Sequence, residues 1–303
     1  MISAQQRAAY HQLGYLVLPG FKSPADIAAL RARAGEIVAA FDPLDTPGGS
    51  AVFTTREQSR HVDTYFMGSA DKIRCFFEEE AFDAQGRLKQ AKALSINKIG
   101  HALHDLDPVF DHVSRGAALA ELAADLGLRQ PQIWQSQYIF KQPGIGGEVR
   151  WHQDATFFDT TPLTVTTFWF ALEDATLHNG CLWVAPGGHH GPLRERFVRR
   201  SASAAGDAVV EDAGGAAADA ASVDAAMEIL DPSPWPELGT ALPLEVTAGT
   251  LVVFHGLLPH YSAPNRSHVS RHAYTLHVTD ASAVYSPRNW LQRSADLPVR
   301  GFD

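Results

Sequence analysis

After Arg129 the chain breaks into short apolar runs parted by glycine- and proline-rich connections: residues 133–142, 149–156, 164–171, 181–184, 242–246, 249–255 and 273–279. Runs this short reach a core by pairing edge to edge, so the pattern predicts a β-sandwich or barrel. The residues before it are mixed. A helix over 3–12 stops at Gly14, and a short strand follows at 15–18. Ser23 and Pro24 then start a second helix, whose Ile27, Leu30, Ala34, Ile37, Val38 and Phe41 recur at helical spacing. A strand is predicted over 73–78, a turn over 83–86, and helices over 95–104 and 114–126.

With 303 residues, 45% of them hydrophobic, the chain can bury a large core as one domain. The expected division is a mixed part over 1–130 and a β core over 131–303, the latter interrupted at about 195–240. Within that interruption, residues 201–230 hold 12 Ala, 6 Asp or Glu, and no Lys or Arg. They read either as a low-complexity insertion or as a lid over a substrate mouth, with a helix over 222–230 that Pro232, Pro234 and Pro236 would end.

The chemistry centres on Trp151-His152-Gln153-Asp154. Residues i and i+2 of a strand share a face, so the His152 imidazole and the Asp154 carboxylate can converge on one ion. A third ligand is offered about a hundred residues later. There the strand 249–255 runs into a tight loop ending at His260, with His255 a competitor at the strand's end. Two histidines and one carboxylate form the facial triad of non-haem Fe(II) oxygenases, which keeps coordination positions open. Eleven residues after His260 stands Arg271, whose planar fork suits the distal carboxylate of a dicarboxylate cosubstrate. Arg266 is the alternative, and its surroundings read as a loop. Gly144 to Gly147 read as a turn, because no Gly-Lys-Ser/Thr follows to make a phosphate loop.

The chain resembles the phytanoyl-CoA dioxygenase (PhyH) family. The resemblance is carried by 97–108 (NKIGHALHDLDP), 140–148 (FKQPGIGGE), the His152/Asp154 pair, 173–176 (EDAT), 179–183 (NGCLW), His255-Gly256 and His260, and it lapses between Arg194 and Leu242. It implies a double-stranded β-helix, a jelly roll with flanking helices whose mouth holds the metal. It also implies Fe(II) on His152, Asp154 and His260, with 2-oxoglutarate anchored by Arg271 and contacted by Lys98. Gln137 and Trp169 map to further cosubstrate-lining positions. Lys98 read by pattern alone could equally be a solvated helix face, and Trp169 a generic core aromatic. The implied reaction consumes O2, with ascorbate as reductant in vitro, and couples decarboxylation of 2-oxoglutarate to succinate with hydroxylation of a small-molecule substrate. Retention of Asp154 points to hydroxylation, because relatives that halogenate leave that ligand position empty. His101, His104, His189, His190, His268, His272 and His277 are expected to be structural or exposed.

Two other classes fit parts of the pattern. One is a barrel using a hydrolytic ion such as Zn(II), which would need neither oxygen nor Arg271. The other is a sensor that binds 2-oxoglutarate without turnover. Net charge of −9 and a pI near 5.8 argue against a nucleic-acid partner held by phosphate neutralisation. The basic cluster Arg194, Arg196, Arg199 and Arg200 reads as solvated surface. No apolar run is long enough to span a membrane, residues 1–13 carry no apolar export core, and Cys75 and Cys181 read as buried, reduced thiols. These point to a cytoplasmic enzyme, with oligomeric state left open by the sequence.

Overall fold

The computed structural model describes residues 2–43, 52, 64–200 and 224–303. Helix α1 (Ala4–Leu13) opens on a capping box, in which the Ser3 side chain accepts from the Gln6 amide while the Gln6 side chain accepts from the Ser3 amide. It ends at Gly14, whose φ of 83° is the left-handed conformation that glycine adopts without penalty. Strand β1 (Tyr15–Leu18) follows, then α2 (Pro24–Ala40), capped by Ser23 and with Pro24 in its first turn. After α3 (Thr64–Met67) come β2 (Ile73–Phe77), β3 (Ile96–His101), α4 (Leu103–Leu106), α5 (Pro108–Ser114) and α6 (Ala117–Asp125). The remainder is strand-rich: β4 (Pro131–Ile139), β5 (Val149–His152), β6 (Thr160–Thr161), β7 (Thr166–Ala171), β8 (Leu182–Val184), β9 (Glu195–Arg200), β10 (Asp224–Ile229), β11 (Leu242–Leu244), β12 (Leu251–His255), β13 (His260–Ser262), β14 (Ala273–Asp280) and β15 (Val284–Tyr285).

The strands form a major sheet in the order β1-β12-β7-β14-β4-β3-β2 and a minor sheet in the order β11-β8-β13-β5, both antiparallel throughout. Each strand of the major sheet is apolar on the face that meets the helices. Phe168 and Phe170, Leu251 and Val253, and Tyr274 and Leu276 join Leu30, Ala34, Phe110, Leu119 and Leu122 in the main core. On the opposite face Trp169, Ala171, Val252, Phe254 and Ala273 meet Leu182, Val184 and Leu244 of the minor sheet. The short strands pack as the expected sandwich, two facing sheets with helices outside, and this is the jelly roll that the family resemblance implies. Among the described residues no helix is long and apolar enough to cross a membrane.

Three local expectations are corrected. Residues 95–104 do not form a helix; they form β3 and the start of α4. Ile96, Ile99 and Leu103 fall at helical spacing, but β3 is covered on both faces, so the polar alternation that marks a half-exposed strand is missing. Residues 224–229 pair as a strand with β9 rather than forming the predicted helix, because cross-strand pairing overrides the helix propensity of alanine. The lid or insertion proposed around them has its middle, 201–223, outside the described residues. Finally, the strand expected over 149–156 ends at His152, and Asp154–Thr156 make a 3-10 turn.

Candidate metal centre and cosubstrate pocket

His152 and His260 are cross-strand partners on β5 and β13, which puts their ring centroids 4.0 Å apart. Each ring is oriented by its own backbone. Nδ1 of His152 lies 2.8 Å from the Arg150 carbonyl and Nδ1 of His260 lies 3.0 Å from the Leu258 carbonyl. A carbonyl only accepts, so both Nδ1 atoms carry the proton and both Nε2 lone pairs are left for a ligand. These Nε2 atoms stand 3.6 Å and 3.7 Å from Oδ1 of Asp154.

Asp154 reaches this point because the chain leaves the strand after His152 and turns, so the shared-face argument gives the right convergence by the wrong local geometry. Its Oδ2 accepts a hydrogen bond from the Thr167 hydroxyl on β7 and lies 3.6 Å from Nε2 of His277 on β14. Among the described residues, His152, Asp154 and His260 form the group of His, Cys, Asp and Glu side chains whose donor atoms all lie within 4.8 Å of one another. Burial, then His260, depresses the His152 pKa to about 4, so its ring is neutral at pH 7. Burial opposes ionisation of Asp154, but the imidazoles of His260, His277 and His152 outweigh it and hold the carboxyl well below its usual range. A neutral His152 imidazole beside an ionised Asp154 carboxylate suits a divalent metal, which binds the unprotonated ring and the carboxylate.

The inner face of the major sheet carries the rest. Its register aligns Thr167, His277 and Gln135 in one row, Trp169, Thr275, Gln137 and Gly100 in the next, and Ala171, Ala273, Ile139 and Lys98 in a third. Thus Lys98, Gln137 and Trp169, taken from three separate strands, share one face. Lys98 is 5% exposed on β3, not on a solvated helix, and its ammonium lies 5.6 Å and 5.8 Å from the rings of Phe66 and Phe76. Burial lowers its pKa to about 7, with Glu78 opposing. Gln137 donates to Gln135 Oε1 at 2.7 Å.

Arg271 sits just before β14 and is 2% exposed. Its guanidinium stands 5.5 Å from the Trp169 ring, its Nε donates to the Gly180 carbonyl at 3.1 Å, and its Nη2 to the Ser262 hydroxyl at 3.4 Å. Ser262 is two residues beyond His260 on β13, so the arginine is tied to the strand that carries a proposed ligand. Nη1 is buried without a protein partner. A buried guanidinium nitrogen with a donor to spare fits an incoming carboxylate. Burial lowers the Arg271 pKa to about 10, which leaves it charged at pH 7.

The competitors go elsewhere. His255 packs against His189, and Arg266 is half exposed and paired with Glu80 in a loop. A surface cleft of about 780 Å³ lined by Ile27, Arg31, Leu172, Glu173 and Val269, among others, contains none of the site residues. Sequence reading did not single out Thr167, Gln135 or Ser262, whose importance comes from cross-strand register. It also passed over Lys141, quoted only as part of a longer stretch.

Residues 10–273 match the family model described as Phytanoyl-CoA dioxygenase (PhyH). The chain is 45% identical over 293 residues to Phytanoyl-CoA dioxygenase 1 of Oryza sativa subsp. japonica, covering 96% of this chain and 94% of that protein. It is 41% identical over 304 residues to Phytanoyl-CoA dioxygenase domain-containing protein 1 of Bos taurus, covering 98% and 97%. Among solved structures it resembles EctD from S. alaskensis with 2-oxoglutarate and 5-hydroxyectoine, with a TM-score of 0.60, 22% identity, and coverage of 97% of this chain and 84% of that one. It also resembles the epimerase SnoN in complex with Fe3+, alpha ketoglutarate and nogalamycin RO, with a TM-score of 0.59, 16% identity, and coverage of 98% and 93%.

Proposed function

The chain belongs to the phytanoyl-CoA dioxygenase (PhyH) family and is a 2-oxoglutarate-dependent dioxygenase, and from that premise we propose that it uses Fe(II) to hydroxylate an unactivated C–H bond of a small organic molecule. The observation that carries this reading is the convergence of His152, Asp154 and His260, with both Nδ1 atoms tied to main-chain carbonyls and the carboxylate held by Thr167. These three residues would hold the iron on one face. When bound, the iron supplies oxygen activation, in which O2 and 2-oxoglutarate give succinate and CO2 while one oxygen atom enters the substrate as an alcohol.

The chain's own residues do the positioning. Arg271 would take the distal carboxylate of 2-oxoglutarate on its unpaired Nη1 and its Nη2, with the Trp169 ring 5.5 Å from the guanidinium. Lys98 and Gln137 would line the same pocket from β3 and β4. Phe254 packs against the His260 ring, Phe158 against His277 and Trp169 beside Arg271, so buried aromatic surface borders the pocket and limits access of bulk water. Asp154 would supply a carboxylate ligand at the position that halogenating relatives leave empty, which favours hydroxylation over halogenation.

The plant relatives' name makes phytanoyl-CoA the first compound to try as substrate. The cosubstrate chemistry is tested without it. Purified protein with Fe(II), ascorbate, O2 and 2-oxoglutarate should form succinate slowly in an oxygen-dependent manner, and Asp154→Ala should abolish this. Full activity in that variant removes the carboxylate from the ligand set. Binding of 2-oxoglutarate with no succinate under any condition would favour a sensor.

A further inference from the structure

Lys141 is the one non-glycine residue at positive φ among the described residues, at 42°. Left-handed backbone disfavours a side chain with a Cβ, so a lysine held there points to a need for that side chain. It is 2% exposed. Its ammonium donates to the Gly147 carbonyl at 2.6 Å and to the Ser262 carbonyl at 3.4 Å, bridging the 143–148 turn to the strand that carries His260. Its own carbonyl accepts from the Arg271 amide at 3.3 Å and from Asn265 Nδ2 at 3.0 Å.

Gly180 makes room for this residue. A Cβ there would meet Cε of Lys141 at 2.7 Å, and the Gly180 carbonyl is the acceptor for Nε of Arg271. Two buried basic side chains, Lys141 and Arg271, therefore share one wall. Burial and then the Arg271 charge lower the Lys141 pKa well below its ordinary value, and Glu78 and Glu148 oppose them. Glu78 is already engaged by Asn97 and the Gly147 amide. An anion brought to Nη1 of Arg271 offsets the arginine's charge and favours the protonated form of Lys141 beside it.

Resting on the dioxygenase reading, we propose that Lys141 is the second cation of the distal-carboxylate subsite and a positioning residue for Arg271, selecting a dicarboxylate 2-oxo acid over a monocarboxylate one. It acts through the field it adds and through its grip on the two segments flanking the guanidinium, while Arg271 makes the direct contact.

The test is calorimetric titration of Mn(II)-loaded protein, where no turnover occurs, with 2-oxoglutarate and with 2-oxopentanoate, which has the same chain length and lacks the distal carboxylate. Lys141→Met should weaken 2-oxoglutarate about tenfold or more and leave 2-oxopentanoate within about twofold of wild type. Lys141→Arg keeps the charge and should retain most of the preference for the diacid. Equal losses for both acids in Lys141→Met would mark a structural lysine and overturn the proposal, as would no loss for either. If Lys141→Met does not fold, a folded Lys141→Arg decides: retained preference supports the proposal, and lost preference overturns it. Wild-type protein that fails to bind 2-oxoglutarate at all would instead sink the dioxygenase reading beneath it.

Discussion

Thr167 shows what one hydroxyl contributes. It is 1% exposed, lies on the strand facing the ligands, and donates to the oxygen of Asp154 that is not turned toward His152 and His260. With Oδ2 held there, Oδ1 points into the triad, the outer-shell arrangement that fixes a ligating carboxylate. Thr167→Val keeps the shape and removes the donor. It should lower Fe(II) or Mn(II) affinity by about 10- to 100-fold while the protein stays folded. Unchanged metal affinity by titration would mean that the turn alone orients Asp154. Arg271→Ala should raise the KM for 2-oxoglutarate sharply with a smaller effect on kcat, and an unchanged KM would shift the anchor to Lys98 or Lys141. The ligand candidates were readable from side-chain type and spacing, because His152, Asp154 and His260 carry their chemistry in their names. Thr167 and Lys141 were not. A threonine and a lysine inside runs that read as strands become informative through what stands opposite them, which spacing within one segment does not encode.

At the scale of elements, legibility followed exposure. Helices α1 and α2 declare themselves through Ser3, Gly14, Ser23 and Pro24, because caps are local chemistry. β3 does not, since it is buried on both sides, and the cation that it contributes at Lys98 broke the apolar run that would have marked a central strand. β10 does not either, because its pairing with β9 is set by partners more than twenty residues away. That hairpin lies against the turn carrying Asp154. Phe197 on β9 is 5% exposed, stands opposite Met227 on β10, and its ring is 5.9 Å from Phe157 at the end of the turn. Phe197→Ala should cost about 3 kcal/mol through the cavity it leaves, read as a lower denaturant midpoint. Metal affinity should hold within about threefold, because Thr167 and the paired strands position the ligands without the hairpin. A parallel loss of metal binding would make the hairpin part of the support for Asp154.

For the molecule as a whole, the two-sheet architecture buries histidines outside the His152 and His260 pair as well. His101 packs edge-on against Phe66 and Trp290 and tilted against Phe76, His255 packs against His189, and His272 is hydrogen-bonded to Tyr138. Burial lowers the pKa of all three: His255 and His272 to about 4, and His101 well below its ordinary value, with the charges of Lys98, His277, Arg293 and Arg74 adding to the effect there. A depressed histidine is neutral in the fold, whereas the unfolded chain takes up the proton near pH 6.5. Between those values the unfolded state binds more protons, so stability is fully present above about pH 6.5 and is lost as pH falls toward 4. Each such group contributes about 1–2 kcal/mol between pH 7 and pH 5. The metal-free protein should therefore have a clearly lower denaturant midpoint at pH 5 than at pH 7, and replacing His272 with Gln should shrink the difference. A midpoint that does not move would mean these rings are charged or solvent-accessible in the fold. Because the same sheets set the register of the metal ligands, acid should release the jelly roll and its metal site together, and circular dichroism followed alongside metal binding across pH 7 to 4 should give one midpoint; loss of metal well before loss of structure would separate the site from the fold that presents it.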